Sequence, residues 1–450
     1  MTLGRASARR VRTARAEVCA PPDCGMHSRL PSLRYERRRV QVAATLALLL
    51  LPARSLAAQA ANGTRAFTGF TLIDGTGRAP VPNATLLVRS GRIVAVGAAS
   101  RVRIPAGAER VDLRDKFVMP GLINGHGHAS SVRDLETYAA YGVTTLFSLG
   151  DEPADVVAAR AAQRRQPPAH ARVYLAGPVL APTSPDEART QVAAVVSQGV
   201  DIVKIRVDDN LGLTKKMTPE VYRAVIDAAH ARGKRVAVHL YYLEDAKALL
   251  AAGADYIAHS VRDLPVDSAF VQALVRSKVC YSPTLMREVS AFVYETTPAF
   301  FTDSLFLAHA DRSWMATVQQ PARQEATRTS ASAQRYKAQL PLAMRNLAAL
   351  HRAGVPIAMG TDTGPLGRFQ GYFELMELEM MVEAGLTPAA VLQSATSVAA
   401  ACMQVVRELG TLEAGKWADL LVLDASPLER ISNVRRQHSV WIGGERVAAR

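Results

Sequence analysis

Short apolar runs rich in β-branched residues recur through the middle of the chain, separated by stretches whose apolar residues return every three or four positions. The first pattern predicts buried strands and the second amphipathic helices. Runs at 118–123, 143–148, 172–177, 201–205, 235–239, 254–259 and 356–362 read as strands. With one more run closing near 283, the strand ends fall near residues 124, 148, 177, 206, 239, 259, 283 and 361. Strands alternating with helices predict an α/β fold with parallel strands, and eight of them is the number a (β/α)8 barrel requires. Helix starts are marked by Thr218-Pro219 and Thr387-Pro388, where Thr caps free amides and Pro suits the first helical position. The gap before the last strand is long. Residues 285–340, with Phe292, Tyr294, Phe300, Phe301 and a polar run near 323–335, read as a helical excursion over one mouth of the barrel.

The two ends follow another pattern. Residues 67–111 alternate strands and turns, with a hairpin at Ser90-Gly91, and the runs at 417–424 and 440–447 are further strands. Neither end continues the βα repeat.

The strand ends carry the chemistry. His126 and His128 close the first, and residues i and i+2 of a strand point the same way, so the two imidazoles converge. His239 and His259 close two more, and Asp362 follows the last. Lys204 lies inside an apolar run, where burial penalises its charge unless that charge is paired or altered. Barrel enzymes place their catalytic groups at the C-terminal ends of strands. A convergent histidine set there is the start of a metal site.

In this order (HxH, Lys, His, His, Asp) the chain resembles the amidohydrolase superfamily of metal-dependent hydrolases, from about residue 67 to the C-terminus. The opening Pro120-Gly121-Leu122-Ile123-Asn124-Gly125-His126-Gly127-His128 is similar to the branch that includes imidazolonepropionase-like and Xaa-Pro dipeptidase-type proteins. The stretch from Gly415 to Leu420 resembles that family's C-terminal signature. The resemblance implies a TIM barrel over 116–400 beside a small β-sandwich formed from both ends of the chain, 62–115 and 401–450. It implies two divalent ions, zinc by preference, bridged by a Lys204 carboxylated with carbon dioxide. His126 and His128 with Asp362 would hold the first ion, and His239 with His259 the second. A metal-bridging hydroxide would attack, with Asp362 as general base and then acid. Asn124 stands where many members have Asp, and Leu375 where close relatives would show His.

Composition changes the picture little, except at the start. The formal charge is +14, yet residues 1–60 alone carry 11 Arg and 3 acidic residues. The basic excess is therefore mostly a leader, with no basic-aromatic platform for nucleic acid. Residues 1–61 read as a leader whose export signal occupies 34–61. Arg37-Arg38-Arg39 supplies the charge, 42–51 is an apolar stretch too short to span a bilayer, and Ala58-Gln59-Ala60 is a cleavage site. Met26 would give this leader an ordinary length. The protein is thus expected to be exported, periplasmic or extracellular, without stable membrane insertion; homo-oligomer formation stays open. Cys19 and Cys24 precede the cleavage site, and Cys280 and Cys402 read as small core residues rather than a disulfide.

The expected partner is a small-molecule substrate. Tyr241, Tyr242, Arg262 and Arg287 follow strand ends closely enough to reach the mouth, where tyrosine and arginine could bind a substrate carboxylate. This fits amide hydrolysis in a dipeptide of Xaa-Pro type or an N-acyl amino acid. The alternatives are a mononuclear deaminase or cyclic-imide hydrolase of the imidazolonepropionase type, and a non-catalytic exported binding barrel. A deaminase usually has an acid soon after the fifth-strand histidine; His239-Leu240-Tyr241-Tyr242 offers none.

Overall fold

A computed structural model describes residues 63–447. The leader, with Cys19, Cys24 and the cleavage site, lies outside the described residues.

The first strands form β1 (Thr64–Leu72), β2 (Val81–Arg89), β3 (Arg92–Ala98), β4 (Glu109–Asp112) and β5 (Phe117–Pro120). The interior strands are β6 (Leu122–Gly127), β7 (Val143–Ser148), β8 (Arg172–Leu175), β9 (Val203–Arg206), β10 (Val236–His239), β11 (Tyr256–Ala258) and β12 (Cys280–Ser282). The chain ends with β13 (Leu420–Leu423), β14 (Gln437–Ile442) and β15 (Glu445–Arg446).

The interior strands pair in parallel, β6-β7-β8 in one sheet and β9-β10-β11-β12 in another. A bridge from Leu180 to Ile205 joins the two, and a second joins Tyr281 to Ile357. The run at 356–362 is extended rather than a full strand. It lies between β12 and β6, because Ala358 N–H donates to Tyr281 O (3.0 Å) and Gly125 N–H donates to Met359 O (2.8 Å). These strands are buried on both faces, as parallel strands covered by helices must be.

The two ends of the chain meet in one mixed sheet of order β15-β14-β13-β5-β1-β2-β3, with β4 on β1. The apolar run at 118–123 is therefore divided. β5 pairs with β1 and β13, and β6 starts the interior set. Gly121 makes the division, since a Cβ there would lie 2.1 Å from Thr144 Oγ1. Two strands separate β1 from β14, so a flat sheet would hold them about 14 Å apart. Yet Phe67 and Trp441 meet edge to face with ring centroids 4.8 Å apart, so this sheet folds over on itself around Phe67, Phe70, Leu86, Val118 and Leu420. A buried bidentate pair, Arg172 to Asp419 (2.6 and 3.1 Å), fastens it to β8. That gives the Asp of the C-terminal signature a structural role.

Helices lie where the pattern placed them. Thr387 accepts from Ala390 N–H and caps Pro388–Ser394, whereas Thr218 precedes Pro219–His230 without a side-chain cap bond. The stretch after β12 is helical, from Leu285–Ser290 through Ala331–Arg352.

The cysteine expectation is corrected. Cys280, opening β12, is joined to Cys402, ending the helix Ser397–Cys402, by a disulfide with a Cα–Cα distance of 5.8 Å. Both residues are buried, so composition and burial looked the same for two thiols and for a bridge; a pairing across 122 residues is not legible from spacing. Closing so long a loop restricts the unfolded chain, and opening it is expected to cost about 2–4 kcal/mol. Urea unfolding with and without dithiothreitol checks this. An unchanged midpoint would show that the bridge adds nothing.

Candidate metal centre

Every sequence-predicted ligand lies at one end of the interior strands. His126 lies at the last-but-one position of β6 with its N–H donated to Asn124 Oδ1 (2.9 Å), and His128 follows the strand with its ring centroid 5.9 Å away. Thr361 and Asp362 both donate their N–H to His126 O, at 3.0 and 2.7 Å. Gly360 permits this approach, because a Cβ there would sit 2.8 Å from His126 Cβ. His259 (φ 80°) and Asp362 (φ 58°) adopt left-handed backbone, which side-chain-bearing residues keep only where the surroundings enforce it.

Ligand atoms of His126, His259 and Asp362 lie within 4.8 Å of one another, and all three residues are buried. Asp362 Oδ1 is 2.9 Å from His128 Nε2 and 3.2 Å from His126 Nε2. Lys204 Nζ is 3.3 Å from His126 Nε2, and the His239 ring lies 4.2 Å from that of His259. The structure thus brings all six together: Asp362 Oδ1 meets both His126 and His128, the rings of His239 and His259 lie against each other, and Lys204 lies against His126.

The ring nitrogens are sorted by their partners. His259 Nδ1 meets Thr284 Oγ1 (2.8 Å) and His128 Nδ1 meets Gly150 O (3.2 Å), so both present Nε2 to the site. His126 Nδ1 is buried without a hydrogen-bond partner among the described residues. Burial, reinforced by the Lys204 charge, lowers His126 to about 3; burial lowers His239 to about 4 against the pull of Asp208. Burial also lowers Lys204 to about 7. Among the described residues no carboxylate lies within ion-pair distance of Lys204.

These shifts carry a sign. Between the ordinary histidine value of 6.5 and about 4, the unfolded chain binds protons that buried His126 and His239 refuse. Stability of the metal-free protein therefore rises with pH across that window and falls on acidification. Urea midpoints at pH 4.5, 5.5 and 7 should increase in that order; a flat series would contradict the burial of neutral imidazoles.

Sequence reasoning missed several participants. Arg368 pairs with Asp362 Oδ2 and donates to Ser290 Oγ (3.1 Å). Burial pushes the Asp362 carboxyl up, but Arg368 and the two imidazoles outweigh it and hold it well below the usual range. Glu374 accepts from Asn124 Nδ2 (2.6 Å) and from the hydroxyls of Thr361 and Thr363, so one buried carboxylate braces both neighbours of Asp362. Asp208 stands against His239 Nε2 at 2.9 Å. Of these, Asp208 had a signal: it follows Lys204 by four residues at the same strand end. Leu375 packs in the core and takes no part.

The four substrate-binding candidates separate. Arg262 and Arg287 are both buried against Glu288 (3.1 and 3.3 Å), not against Asp263 or Asp267 as neighbours in sequence. Among the described residues Arg262 Nη2 and Arg287 Nε have no hydrogen-bond partner. Tyr241 donates to Gln339 and lies under the Arg262 guanidinium, 4.6 Å from its ring centroid. Tyr242 donates to Asp209 (2.9 Å), with Lys216 over its ring and the Tyr241 ring 4.7 Å away. A cavity of about 500 Å³ lined by Tyr141, His309, Trp314 and Phe369 touches none of the six candidate ligands.

A profile of the amidohydrolase family matches residues 117–447. Imidazolonepropionase of Streptomyces coelicolor is 27% identical over 367 residues, covering 77% of this chain and 86% of that protein. A candidate prolidase from Bifidobacterium longum superposes with a TM-score of 0.68 at 29% identity, over 85% of this chain and 94% of that one. A Xaa-Pro dipeptidase with methionine bound in its active site gives 0.69 at 22% identity, over 85% and 99% of the two chains, a likeness of fold alone.

Proposed function

Because the chain belongs to the amidohydrolase family and is a hydrolase of carbon–nitrogen bonds, we propose that it is a binuclear metal enzyme cleaving an amide in a dipeptide of Xaa-Pro type or an N-acyl amino acid. The observation that carries this reading is Lys204. It is buried 3.3 Å from an imidazole nitrogen, beside the His126, His259 and Asp362 group, with no acid in ion-pair range among the described residues. A cation there is opposed first by burial and then by the Arg206 charge, with Asp362 and Asp208 drawing only partly the other way. Carboxylation turns it into an anion suited to bridging two cations.

The donor set fits such ions. Four imidazoles offer ring nitrogens, three of them (His126, His239 and His259) kept neutral by burial, and Asp362 is held ionised. His126, His128, His239, His259, Asp362 and carboxylated Lys204 would hold two divalent ions, with zinc favoured by imidazole-rich coordination. When bound, the ions supply Lewis acidity and lower the pKa of water. Asp362 takes the proton of the attacking water and returns it to the departing amine. Arg368 fixes one oxygen of Asp362, which leaves the other turned to the imidazoles.

Arg262 and Arg287 share a single carboxylate, Glu288, so this wall of the site carries uncompensated positive charge with free N–H groups. That favours a substrate with a free carboxylate. Tyr241 supports the Arg262 side, and Tyr242 lies beside it, held by Asp209. The fold reading is a (β/α)8 barrel closed through the 356–362 segment, with the folded-over end sheet as its flanking sandwich. Export accords with the buried disulfide, since such bonds persist in oxidising compartments.

The imidazolonepropionase likeness keeps cyclic-imide hydrolysis as the second reading. A panel of Xaa-Pro dipeptides, N-acyl amino acids, imidazolonepropionate and aminopurines tests both. Turnover of the first two classes, lost when the substrate carboxylate is amidated, is expected. Turnover confined to ring substrates would overturn the proposal.

A further inference from the structure

Asp208 lies outside the six-residue ligand set, yet it is the nearest carboxylate to one of its members. It follows β9, where Arg206 is the register partner of His239 on β10. Its side chain is 4% exposed. One oxygen, Oδ1, accepts from Asn210 N–H (3.1 Å) and Arg206 Nε–H (3.3 Å). The other, Oδ2, stands 2.9 Å from His239 Nε2. That nitrogen is sealed from solvent and, although Oδ2 is within reach, the pair misses hydrogen-bond geometry. Rotation about the soft terminal torsion of histidine closes such an offset.

His239 is thus oriented unlike its neighbours. His259 and His128 spend Nδ1 on Thr284 and Gly150, which leaves Nε2 for the site. His239 has Nε2 against an anion, and no hydrogen bond among the described residues engages its Nδ1. A carboxylate can only accept, so it draws the imidazole proton to Nε2 and leaves the lone pair on Nδ1.

We propose that Asp208 is a positioning residue that sets the tautomer of His239, so that this histidine alone of the three presents Nδ1 to the site. The inference rests on the metal-centre reading above for its consequence, but not for the tautomer itself. The contacts of Oδ1 give it a distinctive signature. In Asp208→Asn the amide oxygen stays with Asn210 and Arg206, both donors. The amide N–H2 then faces His239 Nε2 and donates to it, forcing the proton to Nδ1. Asp208→Ala merely removes the bias. The near-isosteric Asn should therefore be the more harmful change, the reverse of what a packing role predicts.

The test has two arms. In the first, histidine-labelled metal-free protein is examined by 15N NMR near pH 7, with the His239 signals identified by their loss in His239→Gln. Wild type should show the Nε2–H tautomer and Asp208→Asn the Nδ1–H tautomer. In the second, Co2+ is titrated into wild type, Asp208→Ala and Asp208→Asn, and its visible spectrum is followed. Affinity for one of two ions should fall about 10–100-fold, the usual cost of losing such an outer partner, with Asn below Ala. Wild-type Nδ1–H, or Asn binding Co2+ as tightly as wild type, would overturn the inference. If wild type binds no Co2+ while the NMR arm holds, the metal reading fails and the tautomer assignment stands.

Discussion

Replacing Lys204 with Ala is expected to cut turnover at least ~100-fold, beyond the range seen when only an outer partner of a metal site is lost. The reason lies in its setting. Lys204 is 2% exposed, lies against His126, and is flanked across the β9–β10 ladder by Ala237, which offers no charge. Burial pulls its pKa to about 7, so a substantial neutral fraction is available to react with carbon dioxide near neutral pH. The Ala variant would lack both oxygens that a carboxylated Lys204 would offer. Formate or acetate should enter the space and restore part of the activity. Lys204→Arg should not be rescued, because a guanidinium stays cationic and cannot bridge cations. Steady-state rates with and without added short acids check this. Near-normal turnover in Lys204→Arg would make the residue a structural cation.

Asp362→Asn is expected to lower kcat by ~10²–10⁴-fold with a smaller change in KM, the pattern of a lost proton-transfer group. Asn keeps the shape and an oxygen toward His128 and His126, but cannot take a proton. The same change unbalances Arg368, whose ion-pair partner it removes. Arg368→Gln separates the two effects: it leaves the Asp362 carboxylate in place and should reduce kcat less than Asp362→Asn. Equal losses in both variants would mean that Asp362 acts through its salt bridge and not as a base.

The six ligand candidates were legible because each lies within or just after an apolar run, and strand ends in a parallel α/β fold converge by construction. The end sheet was legible in its strands but not in its connectivity. Nothing local in 118–123 shows that Gly121 divides two sheets; that follows from the clash its Cβ would make with Thr144, a residue of the next strand. Arg368 and Glu374 escaped notice because they lie in a loop and on the helix Tyr372–Glu383, away from strand ends, and reach the site only through tertiary packing. Arg262 pairs with Glu288, supplied by the helix after β12, and no local feature of the sequence marks that partner. The cysteine pair was misjudged for the same reason: sequence shows that a residue is apolar in context, not which distant residue it meets.

Elemental analysis of the purified protein after growth with zinc is the most direct test of the central claim. A binuclear centre on His126, His128, Lys204, His239, His259 and Asp362 predicts about two divalent ions per chain, falling in His126→Ala and in His239→Ala. A wild-type protein that hydrolyses its substrate while holding no divalent ion would contradict it.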